Sequence, residues 1–417
     1  MEKLSNGINL DLICTDQFES VKIVVDFCQS FEKESAAPRA MLARILENSS
    51  QAFSNRQLIA RQLNRLYGAH FSVSTVRFGQ ISKIRFSLKL PNPNIDDDYP
   101  LVEKGLAFLF EQIYRPLIIN DLFPEVFFQT EKKNFLAEYL AAFDDKSYKL
   151  HRQALMKYFS DPNMQVSPEG DADSIKKLTN FSIVEAFKQM LLTNHVAMSV
   201  SGPIEKENIK KIIARWPILS TESVTLKDLN YRQETHNLSK VRFYERGEQS
   251  LIEDVYSLID YNYSSEQRFL AILFSRLLGG SSQSLLFSDI REKRHLVYYV
   301  NSSILGQDSL MVIQAGLDKN NLVEVEKEIR AQITNIKHGN FSDKLFASIK
   351  KELTTGIISS EDYQGSAVEN HLNGFLSGYK VDPNDAIKII NSVTKDQVSD
   401  FSRHSIEQTE ALLINEN

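Results

Sequence analysis

The stretch from Leu277-Leu278-Gly279-Gly280 through Arg291-Glu292-Lys293-Arg294-His295-Leu296-Val297-Tyr298 decides how the chain is read. It reads as a glycine turn, a short helix over 284–292, a basic cluster and then a strand. Upstream, residues 241–245 and 251–261 predict strands, and a helix over 265–278 leads into the glycines. Downstream, alternation over 296–304 and 309–317 predicts a hairpin turning at Gly306-Gln307-Asp308. Helical periodicity follows over 322–336, 343–359 and 365–376.

The same order occurs earlier in the chain. Residues 8–14 and 21–28 read as paired strands joined by a turn at Thr15-Asp16-Gln17. Helices over 37–46 and 54–66 follow, the second with Ser54 as its N-cap. A hairpin over 69–76 and 81–90 turns at Gly79-Gln80. The Pro- and Asp-rich stretch 91–100 is a break, helical periodicity runs from 101 to about 159, and a strand over 196–202 precedes a helix over 207–216. Gly79-Gln80 and Gly306-Gln307 lie 227 residues apart; that shift sets Gly68 against His295 and Phe71 against Tyr298. The chain is therefore read as a long-period repeat. Strands paired with no helix between them imply a mainly antiparallel sheet with helices packed on one face, an α+β arrangement used twice. The expected division is a first domain over 1–219, a polar linker over 220–238 and a second domain over 239–417.

Composition narrows the function classes. At 417 residues the chain is too long for one ordinary core. A formal net charge of −6 and a pI near 5.9 argue against nucleic acid or an anionic membrane surface as partner. No apolar run approaches the ~20 residues of a membrane span, and the N-terminus has no basic-then-apolar signal. These features lead to an expectation of a cytoplasmic protein. Cys14 and Cys28 are the two cysteines; they read as buried free thiols, with a single disulfide as the alternative. There is no G-x-S-x-G, no phosphate loop and no dinucleotide fingerprint.

The second half contains Leu278-Gly279-Gly280, Ser284-Leu285-Leu286-Phe287, Ile290-Arg291-Glu292-Lys293, Leu296 and Tyr298, in that order. This resembles the second-domain signature of the M16 (pitrilysin/insulinase) metallopeptidases. Lys3-Leu4-Ser5-Asn6-Gly7-Ile8 and Met198-Ser199-Val200-Ser201-Gly202 are similar to the family's opening motif and its strand-then-glycine element. His295 departs from the family, which usually has glycine there. Active members carry H-x-x-E-H, two zinc-binding histidines around a water-activating glutamate, with a later glutamate completing the site. Here the corresponding stretch is Met41-Leu42-Ala43-Arg44-Ile45. The histidine positions are Met41 and Ile45, the catalytic position is Arg44, and Glu138 stands at the later acidic position. No two of the eight histidines lie closer than 33 residues, so no pair can bind metal from adjacent turns of one helix.

The resemblance implies an inactive homologue of the bacterial zinc-motif-lacking type, paired as a heterodimer with an H-x-x-E-H subunit. The partner would hold the zinc, and this chain would need no cofactor. Arg291 and Tyr298 would assist in trans on a peptide held extended; an arginine suits a carbonyl and a tyrosine hydroxyl an oxyanion. Gly279 and Gly280 would lie at the substrate or simply end the helix. The alternative is a non-enzymatic peptide-binding or scaffold protein, linked through the same resemblance to elongation factor P modification. A third reading is a metal site assembled from distant His and Glu residues.

Overall fold

The computed structural model describes residues 2–4, 8–93, 100–217, 225–259, 261–263 and 265–416. The chain forms two compact units: Met1–Leu140, Val166–Leu229 and Glu361–Lys380 in the first, and Ala141–Gln165, Asn230–Ser360 and Val381–Asn417 in the second. The expected linker over 220–238 falls partly outside the described residues, as does the opening motif at Ser5-Asn6-Gly7.

The first unit is built on strands β1 (Glu2–Lys3), β2 (Asn9–Cys14), β3 (Val21–Ser30), β4 (His70–Phe78), β5 (Ile81–Leu90) and β6 (His195–Gly202), in the order β1-β2-β6-β3-β5-β4. The β4–β5 hairpin turns at Gly79-Gln80 as expected, and Gly79 takes a φ of +58°. The expected pairing of 8–14 with 21–28 is corrected. β6 lies between them, parallel to β2 and antiparallel to β3. Every β6 residue after His195 is buried, so this strand belongs in the sheet's interior rather than at an edge. The second helix is capped by Asn55, whose side chain accepts from Leu58 N at 3.1 Å, and not by Ser54.

Helices α1 (Lys33–Asn48), α2 (Arg56–Arg65), α3 (Leu101–Tyr114) and α4 (Glu125–Ala141) belong to this unit. One face of β3, Val21, Ile23, Val25 and Phe27, is buried with α1 residues Ala37, Met41 and Ile45 and α3 residues Leu106, Leu109 and Ile113. The opposite face is also apolar. Val24 and Ala197 pack there against Val368 and Leu372 of the helix Gln364–Ser377. Gln364 Nε2 donates to the carbonyls of Ser20 (2.7 Å) and Ser201 (2.9 Å), fixing the start of that helix on the sheet. Beneath it Asp26 takes both arms of Arg85 at 2.7 Å, and Arg85 pairs with Glu369.

The second unit repeats the plan. Strands β7 (Ser239–Glu245), β8 (Ser250–Leu258), β9 (Val297–Leu305), β10 (Leu310–Leu317) and β11 (Ser405–Asn415) lie in the order β7-β11-β8-β10-β9. This is the first sheet's order, with β11 in the place of β6 and again parallel to its outer neighbour. β11 was not anticipated: its middle residues Gln408, Thr409 and Glu410 are polar yet buried, which hides the strand in a hydropathy reading. One face carries Ile252, Tyr256, Met311, Ile313 and Leu412 under the main helical layer. The other carries Leu251, Val255, Val312, Ala411 and Leu413 under Leu150, Ala154, Leu155 and Tyr158 of helix α5 (Lys146–Tyr158). In both units the main helical layer therefore lies on one sheet face, and a single helix closes the other.

Arg39 of α1 is 2% exposed and meets only neutral acceptors: Ser82 Oγ (3.0 Å), Gln29 Oε1 (2.8 Å), Asn194 Oδ1 (2.7 Å) and Phe27 O (2.9 Å). Burial works against its charge, and the saturated hydrogen bonds offset that cost. Arg39→Met should lower unfolding free energy by about 3 kcal/mol or more in denaturant titrations, because it leaves several buried acceptors unpaired. Cys14 is exposed and Cys28 buried, and both are free thiols, which corrects the expectation that both are buried. Burial pushes the Cys28 thiol up to about 12. A thiol reagent at pH 8 should label Cys14 in the native protein and Cys28 only on unfolding; rapid native labelling of both would contradict this packing.

Candidate functional site

Two groups of residues carry the functional question, one in each unit. In the first unit, α1 presents Met41, Arg44 and Ile45. Met41 and Ile45 are fully buried in the apolar core. The Arg44 guanidinium grips Glu138 of α4 with both arms, at 2.8 and 3.0 Å, and this pairing draws the Glu138 carboxyl below its usual range. Glu131, two turns before Glu138 and buried, lies 3.9 Å from Arg44 Nε and receives Arg56 at 3.1 and 3.3 Å. Phe135, between the two acids on the same helix face, lies under the Arg44 guanidinium at 5.3 Å. Glu47 completes the cluster; burial raises its carboxyl, and its Oε1 accepts from Val73 N at 3.3 Å.

Zinc does not fit these residues. It takes deprotonated nitrogen, sulfur or oxygen ligands. Here Met41 and Ile45 are core hydrophobes, and a permanent cation occupies the acids. Among the described residues no group of three or more His, Cys, Asp or Glu is placed to hold a metal ion. Glu131 and Arg56 were missed in the sequence. The available signal was the seven-residue interval from Glu131 to Glu138, which puts both on one helix face.

In the second unit, Gly279 is the C-cap of the helix Gln267–Leu278, and its N–H donates to Ser275 O at 3.0 Å. β9 excludes a side chain at Gly280, whose Cβ would lie 2.8 Å from Ser302 O, and crowds one at Gly279, whose Cβ would lie 3.1 Å from Ser302 Cβ. The chain then winds as a π-helix over Phe287–Lys293, a form concentrated at functional sites. Arg291 lies on it, with its guanidinium 4.6 Å from the Phe287 ring centre. No carboxylate among the described residues lies within ion-pair distance of Arg291. Arg294 differs: Glu328 at 2.8 Å and Glu324 hold it.

Tyr298 lies on β9, an edge strand, and is 58% exposed. The β9–β10 register pairs Val297 with Leu317 and Tyr299 with Gly316, so Tyr298 is the extra residue of a β-bulge. Val297 and Val300 consequently share the buried side although they are three residues apart, and Tyr298 is turned outward. His295 has a φ of +51°, and its repeat counterpart Gly68 has a φ of +76°. The left-handed turn survives in both halves, with a strained residue in the second. Replacing exposed His295 by Gly should stabilise the protein by about 0.5–1 kcal/mol, and Gly68→Ala should destabilise it by about 1 kcal/mol. Thermal unfolding of both variants checks the opposite signs.

Comparison with known proteins places this chain. Residues 177–353 match the family model described as Peptidase M16 inactive domain. A protein of Bacillus subtilis (strain 168), YmfF, named a probable inactive metalloprotease, is 23% identical over 397 residues, covering 94% of this chain and 92% of its own. A conserved protein from Enterococcus faecalis V583 has a structure that superposes with a TM-score of 0.93 at 24% identity, covering 100% of this chain and 98% of that one. A structure titled peptidase M16 inactive domain, from Pseudomonas fluorescens, gives a TM-score of 0.83 at 14% identity, covering 100% and 98%. The chain is thus similar to the M16 inactive domain over residues 177–353 and to a probable inactive metalloprotease along nearly its whole length.

Proposed function

We propose that this chain is the zinc-less subunit of a two-subunit peptidase. The observation that carries the reading is the contrast between its two candidate groups. Arg44, Met41 and Ile45 leave no ligand set for a metal, while Arg291 and Tyr298 stand without a carboxylate or a register partner to occupy them. Relatedness to an inactive metalloprotease supports the same view.

In this reading a partner subunit bearing H-x-x-E-H supplies zinc and the water-activating glutamate. This chain contributes the peptide-holding surface. An extended peptide adds to the free edge of β9, where its backbone pairs with the strand. Arg291 offers fixed N–H donors to a substrate carbonyl. The Tyr298 hydroxyl donates to the oxygen on which negative charge develops. Gly279 and Gly280 keep the preceding turn tight against the same strand. No helix among the described residues is long and apolar enough to cross a membrane, and the cytoplasm is the compartment we propose. A second reading keeps the edge strand as a peptide-binding surface in a scaffold without chemistry, in the setting of elongation factor P modification. Recovery of an H-x-x-E-H protein in a pull-down from the native host separates the two.

The purified chain alone should neither retain zinc nor cleave peptides. Reconstituted with the H-x-x-E-H partner, Arg291→Ala or Tyr298→Phe should lower turnover by roughly 10²-fold, the scale of losing one oxyanion donor. Stoichiometric zinc in the isolated chain, with peptidase activity lost on chelation, would falsify the proposal.

A further inference from the structure

The second unit holds a buried carboxyl that neither candidate group uses. Asp254 of β8 is fully buried, and both of its carboxyl oxygens are without a hydrogen-bond partner among the described residues. In register it stands between Glu410 of β11 and apolar Ile313 of β10. Glu407 of β11 lies opposite Tyr256, the other titratable residue on this face of β8. The helix Leu322–Lys337 packs over the same face and brings Glu326 and Arg330 to it. Arg330 donates to Glu407 at 2.9 and 3.0 Å and to Glu410 at 2.6 Å. From β7, Lys240 donates to Glu410 at 2.9 and 3.0 Å, and Arg242 lies 3.5 Å from it.

The charges do not balance. The carboxyls of Asp254, Glu326, Glu407 and Glu410 outnumber the cations Arg330, Lys240 and Arg242 by one. Glu326 is only half-buried and reaches water, whereas Asp254 is sealed off. An ionised carboxylate with neither donor nor cation costs far more to bury than a neutral carboxyl. Burial, and then the neighbouring Glu407 carboxylate, push the Asp254 carboxyl well above the usual carboxylate range. The helix over it also carries Glu324 and Glu328, which hold Arg294 in the segment leading to β9. We propose that Asp254 is kept protonated in the folded chain and that its proton is a latch. Loss of the proton leaves an unpaired negative charge between β8 and the helix Leu322–Lys337, and loosens that helix together with the segment 287–298 that it anchors. The latch does not depend on the peptidase reading.

An acid that binds its proton more tightly when folded stabilises the fold fully below its unfolded value of about 3.9, and loses that contribution as pH rises through its folded value. The test compares the full chain with Asp254→Asn in denaturant titrations from about pH 4 to pH 9. The unfolding constant of the natural chain relative to the variant should rise about tenfold per pH unit from roughly pH 4, and level off once Asp254 has titrated. Amide hydrogen exchange, compared between the two at each pH, should then be faster in the natural chain over 322–337 and 287–298. Asparagine is a neutral isostere, so an Asp254→Asn chain that fails to fold overturns the proposal. So does a ratio of unfolding constants that stays flat over this pH range, or exchange that is equal in the two chains across either segment.

Discussion

A sheet that is apolar on both faces has to be covered twice, and this constraint organises both halves of the molecule. The strands at the centre of each sheet have buried side chains on either side, so one helical layer leaves half of their apolar surface wet. The second cover is a single helix in each unit, and each carries polar as well as apolar contacts. Asp26, Arg85 and Glu369 lie under one. Glu253, held by His151 at 2.8 Å and Gln314 at 2.7 Å, lies under the other. A buried charge stripped of its partner is costly, so these pairs give each covering helix a preferred position that apolar contact alone would not enforce.

Local features of this architecture were legible in the sequence, and non-local ones were not. The β4–β5 and β9–β10 hairpins follow from alternation and glycine turns, which act over a few residues. The insertion of β6 between β2 and β3 joins residues nearly two hundred positions apart, and hydropathy alternation says nothing about which strands become neighbours. β11 was hidden because burial of Gln408, Thr409 and Glu410 is decided by tertiary partners; Arg330, for example, reaches Glu410 at 2.6 Å. The same division applies to the candidate site. The absence of zinc ligands at Met41 and Ile45 is written in the residues themselves. The Arg44–Glu138 pair spans 94 positions and needed coordinates. The bulge at Tyr298 lies between: Val297 and Val300 are three apart where a regular strand would repeat every two, a signal present but easily overlooked.

On the proposed reading, the metal position in the first unit is lost by replacement as well as by deletion. Removing ligands alone would leave Glu131 and Glu138 as an uncompensated acidic pair on one helix face. Arg44 answers that problem with a cation that cannot be deprotonated at any physiological pH, and Arg56 reinforces it. The acids then serve structure, bridging α1, α2 and α4, and are no longer available to a divalent ion without displacing a guanidinium. For these residues to bind a metal ion, ligands would have to be gained and a cation removed together.

The covering helix of the first sheet also has a consequence for the order of events during synthesis. Gln364 bonds to Ser20 across 344 positions, so the strands β2, β3, β5 and β6 leave the ribosome long before the helix that closes their second face. Through that interval Val24 and Ala197 present an open apolar surface, and Asp26 and Arg85 await Glu369. Contacts between such distant parts of a chain form slowly, and exposed sheet faces invite association with other chains. The nascent protein thus carries an uncovered apolar sheet face through much of its elongation, and the arrival of one short helix ends that period.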